Sequence, residues 1–119
     1  MEVHSLSAAE AFVTADGSTI RELFGLPTGG VENQSLAEAT LAPGQATQRH
    51  YHRASEEIYF VLDGAGEMEL DGERRRVAGG DAIAIPPGAW HELRADGQRP
   101  LRILCCCAPP YRHEDTFFE

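Results

Sequence analysis

The chain contains no lysine: its ten basic residues are all arginine, against nineteen acidic ones, and the formal net charge is −9. A surplus of that sign repels phosphate backbones and anionic bilayers, so neither nucleic acid nor a membrane is expected as a partner. No apolar run approaches the roughly 20 residues that a membrane-spanning helix needs. The first residues, Met1-Glu2-Val3-His4-Ser5-Leu6-Ser7, have neither a basic stretch nor an apolar one. That is not the pattern of a signal peptide, and it predicts a cytoplasmic protein. Cysteine is scarce: three residues, consecutive at Cys105-Cys106-Cys107, with no C-x-x-C spacing. Strand neighbours point to opposite faces, so these cysteines are not expected to bridge one another. They read either as small buried hydrophobes in a reducing compartment or as thiols of which one faces the interior. Internal repeats and low-complexity segments are also missing.

What is plentiful is punctuation. Twelve glycines and seven prolines are spread along 119 residues, as many short strands joined by tight turns require. The length fits one domain. Ser7-Ala8-Ala9-Glu10 has the spacing of a capping box and predicts a short helical turn running into Ala11-Phe12-Val13. Residues 18–24 read as a strand, and 26–30 as a loop. Residues 35–41 suit helix or strand by propensity. Asp71-Gly72, between Glu67–Leu70 and Glu73–Val77, predicts a two-residue hairpin turn in which Arg74, Arg75 and Arg76 face Glu67, Glu69 and Glu73. Further strands are expected at 83–85, from His91, and over 100–107. The tail from Tyr111 is expected to follow the last strand and to dock Phe117 and Phe118 on the protein or on a second subunit.

Two segments carry the chemistry. In the first, Gly44 to Gly64, His50 and His52 stand two apart, ahead of the strand-forming run Ile58-Tyr59-Phe60-Val61-Leu62. On a strand that spacing puts both imidazoles on one face, whereas a helix would need them at i and i+4. Glu57 joins them if it opens the next strand facing inward; Tyr59 and Val61 then share its face. The second segment is a short apolar strand, Pro86-Pro87-Gly88, and then His91. Three of the chain's five histidines lie in these two segments.

The first segment resembles the first cupin motif, G-x5-H-x-H-x3,4-E-x6-G, through Gly44, His50, His52, Glu57 and Gly64. Glu56 fits the shorter spacing, but only Glu57 leaves six residues before Gly64. The second resembles the second motif, G-x5-P-x-G-x2-H-x3-N, through Gly80, Pro86, Gly88 and His91; Ala95 replaces the final Asn. The resemblance implies an all-β, double-stranded β-helix or jelly-roll barrel. It places a leading segment at 1–34, the barrel at 35–108 and a tail at 109–119. Within that layout residues 35–41 form a strand, and Glu38 is either a solvated charge or part of the pocket lining.

The resemblance also implies one divalent transition metal (Fe, Mn, Ni, Co, Cu or Zn) held by His50, His52, His91 and Glu57. Three nitrogens and one oxygen suit a borderline ion. Six-coordination leaves two positions for water, substrate or O2, whereas four ligands around tetrahedral Zn close the site. The expected function is a metal-dependent enzyme acting on a small organic molecule, a dioxygenase or oxidoreductase, or an isomerase, cyclase or lyase. Glu57 and Tyr59 are its candidate catalytic residues, with core packing the alternative for Tyr59. The alternative function is a binding module that captures a metabolite without turning it over. Small cupins commonly pair, so a homodimer is implied as well.

Overall fold

Alternation along β5 (Glu56–Asp63) sets the plan of the molecule. Glu57, Tyr59 and Val61 are buried, while Glu56, Ile58, Phe60 and Leu62 are exposed. A strand patterned in this way has one face on a core and one on solvent. The computed structural model covers residues 1–119. It holds β5 between β10 (Leu101–Ala108) and β8 (Ala82–Ile85) in a six-stranded sheet that continues through β3 (Ser35–Leu41), β2 (Thr19–Phe24) and β1 (Ala11–Val13). A five-stranded sheet faces it, in the order β11 (Thr116–Phe118), β4 (His50–His52), β9 (His91–Ala95), β6 (Ala65–Leu70) and β7 (Glu73–Ala78). Every pairing is antiparallel. The two sheets close over Leu41, Val61, Met68, Ile85, Leu93 and Leu101. This is a jelly roll.

Turn chemistry fixes the register. Asp71 and Gly72 both have positive φ, 47° and 90°, as a type I′ hairpin turn requires. Gly64, between β5 and β6, has φ 87°, and a Cβ there would lie 2.3 Å from the Pro100 carbonyl oxygen. Only glycine fits that crossing. Gly88 (φ 82°) donates its N–H to the His52 carbonyl at 2.7 Å, which ties the second motif's turn to the end of β4. No helix is long and apolar enough to cross a membrane.

Several local expectations are corrected. The predicted helical turn at 7–13 is a single 3₁₀ turn, Leu6–Ala8, without a side-chain cap, and Ala11–Val13 is strand. Pairing with β2 prevails over the capping pattern. The tail docks Phe117 and Phe118 on the barrel as expected, but does so as a strand. After a second 3₁₀ turn (His113–Asp115) it returns as β11, pairing with β4 so that Thr116 lies opposite His52 and Phe118 opposite His50. Of the three hairpin arginines only Arg74 meets one of the expected glutamates, Glu67 at 2.9 Å; Arg76 turns to Asp96. Glu69 is taken by Arg49. Glu38 is neither solvated nor in the cleft. It is buried on the outer face of the larger sheet, where Arg102 and Arg21 cover it from β10 and β2.

Candidate metal centre

The site forms where the two sheets meet. His50 and His52 leave β4 on the same side, and Tyr51 between them turns outward onto Phe117 and Trp90. His91, the first residue of β9, pairs in register with His50, and their ring centroids lie 4.2 Å apart. All three imidazoles are buried, and their available ring nitrogens lie within 4.8 Å of one another. Glu57 reaches the group from the opposite sheet. Its Oε1 is 3.2 Å from His52 Nε2 and 3.6 Å from His91 Nε2. The four residues singled out in the sequence therefore come together, with Glu57 closest to two of the three histidines.

The outward nitrogen of each ring determines what the inward one can do. His50 Nδ1 lies 2.7 Å from the Gln48 carbonyl oxygen, and His91 Nδ1 lies 2.9 Å from that of Ala89. A carbonyl only accepts, so both nitrogens carry the proton and donate it. His52 Nδ1 lies 3.1 Å from Thr116 Oγ1, whose own proton goes to the Arg112 carbonyl. His52 therefore donates to Thr116. With all three protons on Nδ1, the three Nε2 lone pairs point inward, the arrangement that second-shell partners impose on metal-binding histidines.

Electrostatics lead to the same fit. Burial, and next the neighbouring His91, lower the His50 pKa to about 4, so the ring is neutral at ordinary pH. Burial raises the Glu57 carboxyl, and only protons presented by the facing His52 and His91 rings would bring its pKa down to about 2. That stabilisation needs positive charge opposite the carboxylate. Imidazoles protonated on Nδ1 do not supply it from Nε2. Glu57 Oε1 and His91 Nε2 are in fact buried without a hydrogen-bond partner, an arrangement that is costly as it stands. A cation among these donors removes the cost, and the residues present fit a divalent ion.

Around the cluster lies a cleft of about 780 Å³, counting the solvent at its mouth. Tyr59 lines it, with its ring centroid 5.9 Å from that of His91. Burial, and next the Glu57 charge, hold the Tyr59 hydroxyl well above its ordinary value, so it remains a proton donor. Cys105 and Cys107 both face the cleft, while Cys106 is exposed. Cys107 Sγ donates to Glu57 Oε2 at 3.1 Å, and burial raises its thiol pKa. Sequence reasoning allowed for one interior cysteine without assigning it to Cys107, and missed Thr116 and Phe118 as neighbours of the site. The cysteine pair was foreshadowed by the two-residue alternation of β10. The other two depend on the return of the tail, for which the sequence carries no signal beyond their aromatic and β-branched character.

A jelly roll with a buried cluster of three strand-borne histidines beside a carboxylate defines a class of small barrels whose histidine group could hold a metal. The cupin domain family matches residues 37–107, and the chain belongs to that family. An uncharacterised protein of Methanocaldococcus jannaschii is 50% identical over 105 residues, covering 88% of this chain and 84% of its own length. A solved structure from Planctomyces limnophilus is 30% identical with a TM-score of 0.84, covering 99% of this chain and 96% of that one. The polyketide cyclase RemF from Streptomyces resistomycificus is 25% identical with a TM-score of 0.80, covering 97% of this chain and 89% of that one.

Proposed function

We propose that the chain is a metal-dependent enzyme acting on a small organic molecule, with His50, His52, His91 and Glu57 holding one divalent transition metal. One observation carries the reading: three inward Nε2 lone pairs, fixed by hydrogen bonds on the opposite side of each ring, meet a buried carboxylate with no protein cation to balance it. The bound ion supplies a Lewis acid, or a redox partner for O2, beside the substrate. The chain's own residues do the rest. Tyr59, kept protonated, donates a hydrogen bond to a substrate oxygen in the cleft. Glu57 would hold the ion together with the histidines, and it is the carboxylate at the cluster that could take a proton from a substrate carbon. The strands on either side exclude water. The likeness to a polyketide cyclase supports a cyclase among the reaction classes. A homodimer is part of the reading, supported by the exposed row Ile58, Phe60 and Leu62 on the outer face of β5. So is a cytoplasmic location, which cell fractionation tests.

Elemental analysis of protein purified without a chelating tag tests the metal. About one Fe, Mn, Ni, Co, Cu or Zn per chain is expected. His50→Ala and His91→Ala are each expected to lose more than half of it while keeping the β circular-dichroism signature. Full metal content in either variant would remove that histidine from the ligand set.

A further inference from the structure

Every arginine of this chain lies outside the cleft lining. Arg21 and Arg102 cover Glu38 on the outer sheet face. Arg49 lies between Glu69 and the Trp90 ring, and Arg53 lies over Phe117. Arg74, Arg76, Arg94, Arg99 and Arg112 pair with Glu67, Asp96, Glu92, Asp63 and Glu114, and Arg75 is exposed on β7. No arginine lines the cleft and the chain has no lysine, while Asp16 and Glu22 line it together with Glu57. A divalent ion with Glu57 keeps one formal positive charge, and Asp16 and Glu22 more than cancel it. Part of the lining is short: Ala37 and Ala39 from β3 and Cys105 from β10 extend little beyond Cβ. Phe12, Tyr111 and Phe118 supply aromatic walls.

We infer that the cleft takes an uncharged, flat and largely apolar molecule that presents two neighbouring oxygens, and that it rejects carboxylates and phosphates of the same shape. The inference rests on the metal reading above for the oxygen pair, because four protein ligands leave two positions on a six-coordinate ion. It rests on the cleft alone for the charge. An anionic ligand would enter a low-dielectric space that already holds surplus negative charge and offers no guanidinium for bidentate recognition.

The test compares two probes of one shape on cobalt(II)-loaded protein at pH 8 by calorimetry: 2′-hydroxyacetophenone, uncharged, and salicylate, its carboxylate counterpart. The neutral probe is expected to bind at least about tenfold tighter. Glu22→Arg, which places a cation in the cleft, is expected to bring the two within about threefold. Ile20→Arg, one cleft-facing position away on β2, does the same if the first variant fails to fold. Equal or tighter binding of salicylate by the wild type, or no binding of either probe at millimolar concentration, overturns the inference. Failure to take up cobalt overturns the metal reading instead. The comparison is then made on the apoprotein, where the cleft's charge predicts the same order and equal binding again overturns the inference.

Discussion

His50 concentrates the physics of this protein in one side chain. Its Nδ1 proton is committed to Gln48, its Nε2 faces His91 and His52, and its pKa is lowered to about 4 from an ordinary 6.5. Between those values the unfolded chain binds a proton that the native chain does not, so stability rises with pH across that window. The contribution is complete above about pH 6.5 and is lost as pH falls toward about 4. Denaturant titration of metal-free protein is expected to show a loss on the order of 2 kcal/mol over that range. His50→Gln flattens the dependence; an unchanged slope in that variant would assign it to other groups. Cys107 acts at the same scale through Glu57. Without its S–H, the second carboxylate oxygen loses its donor. Cys107→Ala is expected to weaken metal binding about tenfold in a chelator competition, and Cys107→Ser, which keeps a donor, to restore most of it. Equal affinity in all three proteins would leave Cys107 a packing residue.

At the scale of elements, β4 and β11 form one unit. β4 has three residues, too few to hold two ligands still by itself, and β11 pairs along all of them. Asp115, just before β11, accepts the Ala54 and Ser55 backbone N–H groups and so clamps the connection from β4 to β5. These two bonds keep its carboxyl below the ordinary range although burial opposes them. Asp115→Asn is expected to cost about 1 kcal/mol near neutral pH, read as a shift of the denaturation midpoint. Thr116→Val removes the acceptor for His52 Nδ1 and is expected to lower metal affinity about tenfold with little change in fold. If Thr116→Val lost stability but no affinity, the tail would be a clasp only. Here the sequence was partly legible. The i, i+2 histidines and the motif spacings were enough to bring His50, His52, His91 and Glu57 together. The role of residues 109–119 was not, because a three-residue strand closing a barrel from 64 positions away leaves no local periodicity.

At the scale of the molecule, the outer face of the larger sheet is the open question. Ile58, Phe60 and Leu62 are between 37% and 45% exposed, a row of apolar side chains that a second copy can cover. Light scattering at micromolar concentration is expected to give twice the chain's 13.0 kDa, and Phe60→Glu to give the monomer. A wild-type monomer would sink the homodimer. The same sheet shows how charge is partitioned. Arginines gather on its outside around Glu38, while none lines the inside beside Asp16, Glu22 and Glu57.

The sequence by itself determined the all-β class, the hairpin at Asp71-Gly72 and the grouping of the candidate ligands. The hairpin and the strand-borne pair His50 and His52 follow from short-range rules, alternation every two residues and φ > 0 at particular turns, while the all-β class and the full ligand set follow from the resemblance to the two cupin motifs. Only the tertiary structure decided that Glu38 is buried under two arginines, that Cys107 touches Glu57, that Thr116 sets the His52 tautomer, and that the cleft contains no cation. Those four facts depend on which strands lie side by side. That order comes from burying both sheet faces at once, and a local pattern read along the chain does not contain it.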